Sequence, residues 1–222
     1  MVVVLTQTEA RAFYDRFGAK QDSQAFYEDP AVEALIAHAR FGEARAVFEC
    51  GCGTGRFAAG LLSTQLDSAA SYVGTELSST MLELARQRLA PWGERARLEL
   101  ATGKLLFPVA DQSVDRVVAN YVLDLLPDTD IRQLIAEARR VLRPGGKLCL
   151  VSLTHGVNVT SRLVIALWST IFRISPSLVG GCRPIELAAY LDQDIWSIDH
   201  RQVVTPYGIP SEVLVAGHGL AP

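Results

Sequence analysis

The 222-residue chain predicts an α/β fold: a seven-stranded, mostly parallel sheet with helices on both faces and an antiparallel C-terminal strand. Three observations carry this expectation. Helix and strand patterns alternate from residue 30 to about 150, the rhythm of a parallel sheet covered on both sides. An apolar run, Ala46-Val47-Phe48-Glu49-Cys50, opens into the alternating glycines Gly51, Gly53 and Gly55, which reads as a buried strand entering a tight turn and then a helix. The last two strand patterns are joined by Pro206-Tyr207-Gly208-Ile209-Pro210, a turn too short for a parallel crossover, so they form a hairpin at the sheet edge.

Asp29-Pro30 reads as a helix start, with Val32, Leu35, Ile36 and Ala39 on one face and Gly42 as the stop. The first strand, Ala46 to Glu49, leads into a helix from about Thr54 to Ser63, and the second, Ser71 to Thr75, into one from about Ser79 to Leu89. Ser78 or Ser79 caps that helix, Met81, Leu82, Ala85 and Leu89 form its buried face, and Pro91 ends it. Arg97 to Leu100 is the third strand and Asp115 to Asn120 the fourth. Asp128 is expected to cap a helix striped by Ile131, Leu134, Ile135, Ala138 and Leu142, which stops at Arg143-Pro144-Gly145-Gly146 before the fifth strand, Lys147 to Leu153. A short helix near Pro184 to Leu191 precedes the terminal strands, Trp196 to Thr205 and Ser211 to Ala216.

The net charge of −3 gives no electrostatic reason to expect nucleic acid as the substrate. Cys50, Cys52, Cys149 and Cys182 show no paired framework and no metal-ligand spacing, so they are expected to be reduced core thiols of a cytoplasmic protein with no bound metal. Met1 to Leu5 is too short for a signal peptide. The longest apolar window, Val157 to Val179, is broken by Arg162, Arg173 and Pro176 and reads as a surface helix or lid instead of a membrane span.

The glycine turn also fits a dinucleotide fingerprint, Gly53-Thr-Gly55-Arg-Phe-Ala58, so Glu49 decides the ligand. A carboxylate beside the turn repels a pyrophosphate and holds an ammonium, which suits S-adenosylmethionine, an adenosyl amino acid without phosphate. With these pieces in place the chain resembles the class I S-adenosylmethionine-dependent methyltransferases, in particular the ubiquinone and menaquinone biosynthesis group. The likeness runs from Tyr14-Asp15 to Pro210-Ser-Glu-Val-Leu-Val215. It rests on Glu49 to Gly55, Val73-Gly-Thr-Glu76-Leu-Ser78, Asp111-Gln-Ser-Val-Asp115 and Arg140-Val-Leu-Arg143-Pro-Gly-Gly-Lys-Leu148.

The resemblance implies a Rossmann-like sheet with a reversed last strand, and it assigns roles. Gly51, Cys52, Gly53 and Gly55 form the cofactor loop with Glu49. Glu76 takes the ribose hydroxyls, and Leu77 and Met81 flank the adenine, although Met81 also suits plain core packing. Family members often read the adenine amino group with an Asp where this chain has Gly103, so Thr102 or backbone near Lys104 must do so here. Asn120 accepts from the methionine ammonium, Tyr121 lies in the same crevice, and Tyr14 closes over the cofactor.

Methyl transfer is a direct displacement that needs alignment and exclusion of water. An acceptor with a proton to lose needs a base, for which His155 and Asp124 are the candidates, while His200 reads as structural. The chain lacks the Pro-Pro-aromatic turn and the Pro-Cys nucleophile of DNA-methylating enzymes, and it lacks a basic RNA-binding extension. A small, lipophilic or aromatic acceptor is therefore expected, with O, C, N and S nucleophiles all open, no nucleic acid, no transmembrane segment, peripheral membrane contact left open, and a monomer or homodimer. The segments read as 1–44 N-terminal helices, 45–153 cofactor core, 154–192 lid and substrate region, and 193–222 terminal hairpin. A nicotinamide-dependent oxidoreductase and a non-catalytic scaffold of the same fold are the alternatives.

Overall fold

Seven strands lie side by side in the order β3-β2-β1-β4-β5-β7-β6. They are β1 (Ala46–Cys50), β2 (Ser71–Glu76), β3 (Ala96–Leu100), β4 (Val114–Asn120), β5 (Leu142–Leu153), β6 (Trp196–Val204) and β7 (Ser211–His218). The computed structural model describes residues 4–218; Met1–Val3 and the last four residues of the expected terminal hairpin segment lie outside the described residues. Strands β1 to β5 pair in parallel, and β7 runs antiparallel to both β5 and β6. The expected hairpin is present, with β6 at the sheet edge and the reversed β7 slotted inside it.

The strand order reverses direction between β1 and β4, so their carboxyl ends diverge and leave a crevice there. Helices α2 (Ala25–Ala39), α3 (Arg56–Thr64) and α4 (Ser79–Leu89) share one apolar layer with Val47, Tyr72, Val118, Val151 and Val215. Helix α5 (Asp128–Val141) packs on the opposite face against Phe48, Val117, Leu148 and Leu214. Successive residues of β1, Val47 and Phe48, thus enter different layers, as the two-residue strand period requires. Helix α1 (Gln7–Phe17) precedes the sheet and α6 (Val159–Ile174) follows β5.

Several boundaries differ from the sequence reading. Helix α2 begins at Ala25 and carries Pro30 inside it, because the 3₁₀ turn Gly18–Gln24 feeds the helix five residues before Asp29-Pro30. Ser78 caps α4 as expected, its hydroxyl accepting from the Met81 amide at 3.1 Å. Asp128 is not the cap of α5: Pro127 holds that position, and the Asp128 carboxylate instead accepts from Arg183 and the Tyr190 hydroxyl. Residues 143–146 do not separate helix from strand, since β5 starts at Leu142 and carries them as a bulge between the pairs Val114–Leu142 and Arg116–Lys147. The helix expected near Pro184 to Leu191 shrinks to one 3₁₀ turn, Leu187–Tyr190. Among the described residues no helix is long and apolar enough to cross a membrane.

Candidate functional site

A cavity of about 760 Å³ opens at the carboxyl ends of β1, β2, β3 and β4, the crevice that the topology leaves. Its floor is the turn after β1. Gly51, Gly53 and Gly55 all take positive φ (74°, 54° and 75°), and Gly55 stands at the N-cap of α3. A Cβ on Gly51 would sit 2.5 Å from the Val122 side chain, so only glycine lets the loop pass beneath the β4 end. The Gly51 and Cys52 amides donate to the Thr75 carbonyl at 2.8 and 2.9 Å, pinning the loop to β2.

Two buried carboxyls flank this loop. Glu76, at the end of β2, accepts from the Gly53 amide at 3.0 Å and the Ser78 amide at 2.8 Å, so loop and α4 cap converge on one side chain. Burial raises its pKa above the ordinary carboxylate value, against the pull of those amides. Glu49, at the end of β1, accepts from the Tyr72 hydroxyl. Tyr72 reaches it by leaning over Gly74, where a Cβ would lie 2.7 Å from the tyrosine oxygen, so Tyr72-Val73-Gly74 is the sequence signal for this support. Desolvation pushes Glu49 up to about 8, the neighbouring Glu76 adding to it.

Asn120 closes the row on β4. Both its amide oxygen and nitrogen are buried without a hydrogen-bond partner, and the residue lines the cavity. Unsatisfied buried polar atoms are costly, so a side chain holding two of them beside a cavity is built to meet a ligand's polar group. Tyr121 follows in the left-handed region (φ 54°), its hydroxyl 2.8 Å from Ser211 Oγ. Leu77, Met81, Thr102, Gly103 and Lys104 also line the cavity. The Gly103 carbonyl accepts from the Gln7 side chain, a contact that no local sequence pattern announced.

The roof also comes from the N-terminal segment. Arg11 donates to the Leu77 carbonyl at 3.2 Å and the Ala101 carbonyl at 3.4 Å, and the Tyr14 hydroxyl donates to the Gly180 carbonyl at 3.1 Å. Tyr14 also lines the cavity. Desolvation holds its hydroxyl protonated well beyond neutrality. Arg88 bridges the Thr54 carbonyl (2.9 Å) and Asp22 (2.7 Å), tying the segment after α1 to the glycine loop.

Three expectations fail here. His155 is exposed and does not line the cavity, because the chain turns away after β5 toward α6. Asp124 is fully buried beneath the crevice instead of standing at its mouth: one oxygen accepts from the Leu153 amide at 3.1 Å, and burial pushes it up to about 7. No residue of Val157 to Val179 lines the cavity, so that stretch is not its lid; the covering role falls to residues 4–28. The acid that sequence reading missed is Glu28, which lines the cavity, accepts from Gln21 at 3.0 Å and faces Arg56 at 3.4 Å. Desolvation pushes it up to about 7. Its position on a helix distant from the glycine loop left no local signal. Of the thiols, Cys50 and Cys149 are pushed up to about 12 by burial, so they stay protonated.

Comparison with known proteins agrees with this geometry. Residues 47–146, from β1 through the bulge of β5, match the family model described as a methyltransferase domain. Over that stretch the chain is similar to methyltransferase domains. Methyltransferase GfsG of Streptomyces halstedii is 38% identical over 109 residues, 48% of this chain and 37% of that one. The malonyl-[acyl-carrier protein] O-methyltransferase of Erwinia pyrifoliae is 32% identical over 170 residues, 74% of this chain and 58% of that one. The chain therefore spans between about a third and three fifths of the length of these curated relatives. Among solved structures, a geranyl diphosphate C-methyltransferase from Streptomyces coelicolor, in complex with S-adenosyl-L-homocysteine, superposes with a TM-score of 0.67 at 14% identity. It covers 86% of this chain and 76% of that one, and shows the shared fold. The match to that family model does not favour the nicotinamide and scaffold alternatives.

Proposed function

We propose that this methyltransferase domain binds S-adenosylmethionine and moves its methyl group to a small acceptor. The observation that carries the reading is the row Glu76, Glu49 and Asn120 on adjacent strand ends around the glycine loop, two buried acids beside an unpartnered amide. Such a row offers acceptor lone pairs to hydroxyls and an ammonium. When bound, S-adenosylmethionine supplies a methyl group on a sulfonium, a leaving group that needs no covalent help from the protein.

Each side chain then has a task. Glu76 keeps lone pairs for ribose hydroxyls while two backbone amides fix its direction. The Asn120 carbonyl oxygen accepts from the ligand ammonium, which ends its isolation. Glu49 gives up its proton more readily once that positive charge arrives. Met81, Leu77 and the Gly103 backbone frame the adenine, and the covering segment with Tyr14 excludes water. For an acceptor that must lose a proton, Glu28 replaces His155 and Asp124 as the cavity acid near neutrality. The apolar cavity walls suit a lipophilic or aromatic acceptor, the nucleophilic atom being O, C, N or S.

The test is transfer of labelled methyl groups from S-adenosylmethionine to phenols, amines, thiols and lipid extracts. Labelled product in one of these classes is expected. No product in any class, while S-adenosylhomocysteine still binds, would leave only a scaffold; thermal protection by a nicotinamide dinucleotide instead would move the chain to the oxidoreductases.

A further inference from the structure

Helix α6 is capped at its start by Asn158, whose side chain accepts from the Ser161 amide at 2.9 Å, and anchored inward by Ile165 and Phe172. Its outer face is apolar too. Val159 (74% exposed), Leu163 (68%), Leu167 (63%) and Ile174 (76%) recur at helical spacing, and Leu178 (69%) extends the stripe into the next turn. Beside it, Gly208 lies so close to Thr160 and Val164 that a Cβ there would meet their side chains at 3.1 and 3.0 Å, which brings Tyr207 (77% exposed) and its edge-to-face partner Phe26, 5.3 Å away, to the flank of the same surface. A continuous apolar patch of this kind on a water-exposed face marks an interaction surface.

Charge identifies the partner. Helix α6 carries two cations, Arg162 and Arg173, and no acid, in a chain whose net charge is −3. Both arginines are exposed and sit one residue from stripe positions, Arg162 beside Leu163 and Arg173 beside Ile174. An apolar stripe flanked by long cations, with a tyrosine and a phenylalanine at its side, is the pattern that lies in the headgroup layer of an anionic bilayer, the arginine stems buried and the guanidiniums at phosphate level. The inner side of the helix meets the cavity wall: the Trp168 indole donates to the Cys182 carbonyl at 2.9 Å, and Cys182 lines the cavity.

We infer that the outer face of α6, with Tyr207 and Phe26, docks the protein on an anionic lipid surface. This stands apart from the methyl-transfer reading, because docking is measured without cofactor or acceptor. The full chain is sedimented with vesicles of phosphatidylcholine alone and of phosphatidylcholine with phosphatidylglycerol, at low and high salt. It is expected to sediment with the anionic vesicles at low salt and to remain mostly in solution with the neutral ones. Arg162→Gln with Arg173→Gln should weaken anionic binding about thirtyfold. Leu163→Glu with Leu167→Glu should abolish it while the melting temperature stays that of the wild type, since both positions are exposed. Should that pair fail to fold, Val159→Ser with Ile174→Gln gives a partial loss by the same assay. A wild type that stays in solution with both vesicle types, or apolar-stripe variants that bind as it does, overturns the inference. A dimer dissolved by Leu163→Glu, without vesicle binding, also overturns it and assigns the face to a second copy.

Discussion

Asn120 pairs with nothing among the described residues, and that makes it the most testable side chain of the site. Asn120→Ala removes two unsatisfied buried atoms, so the free protein should melt at the same temperature or slightly higher. S-adenosylhomocysteine should bind roughly ten- to a hundredfold more weakly, the loss of one hydrogen bond to a charged group. Calorimetric titration beside a melting curve reads both; unchanged affinity would reduce Asn120 to a strand-end residue. Glu49, Glu76 and Asn120 were legible in the sequence because each ends an apolar run, and strand ends in a parallel sheet face the crevice. His155 and Asp124 satisfied the same logic of position but not of direction. Where a chain turns after its strand depends on tertiary packing, which sends His155 out to solvent and Asp124 inward to the Leu153 amide.

At the scale of elements, α1 carries the clearest consequence. It contributes no buried residue of its own, and side chains hold it across the cavity: Gln7 on Gly103, Arg11 on Leu77 and Ala101, Tyr14 on Gly180, and Asp15 on Ser78 at 2.6 Å. A helix so attached opens locally at low cost. Amide exchange over residues 7–17 should therefore be fast in the free protein and slow several-fold when S-adenosylhomocysteine is bound. Gln7→Ala with Arg11→Ala should restore fast exchange and weaken binding; exchange that ignores the ligand would contradict the role of α1 as the cover. Periodicity identified the apolar faces of α2, α4 and α5, but an apolar stretch does not by itself say what it meets. That is why the apolar window of α6 read as a lid, while the N-terminal helix was read only through Tyr14, as closing over the cofactor. Asp29-Pro30 misled for a related reason: proline is tolerated early in a helix, and here a preceding 3₁₀ turn moved the start back to Ala25.

The whole molecule concentrates unusual acids around one cavity, and this sets its response to pH. Burial raises Glu28 to about 7, Glu49 to about 8 and Asp124 to about 7, from ordinary values of 4.5, 4.5 and 3.8. Each is harder to ionise folded than unfolded, so its contribution is fully present below the ordinary value and is lost as pH climbs to the raised one. Acids held low by partners, such as Asp115 with Arg143 and the Ala46 amide, act in the opposite sense and lose their stabilisation only in more acidic solution. The melting temperature of the free protein should therefore fall between about pH 5 and about pH 8. S-adenosylhomocysteine, bringing an ammonium to Glu49, should flatten that slope. A melting temperature that rises over the same range would contradict the assignment of buried, proton-holding acids. At this scale the sequence was most informative: all seven strands and the reversed pair follow from alternating patterns and the short Pro206–Pro210 turn. The placement of β7 inside β6 does not, because strand order is decided by long-range pairing.

In the proposed function Glu76, fixed by the Gly53 and Ser78 amides, holds an adenosyl amino acid at the glycine loop. Isothermal titration of the full chain with S-adenosylhomocysteine, beside Glu76→Ala and a nicotinamide dinucleotide, tests it most directly. Saturable binding by the wild type, a loss of at least about tenfold in the variant, and no heat from the dinucleotide are expected. Binding of the dinucleotide by the wild type, with S-adenosylhomocysteine inert, would contradict it.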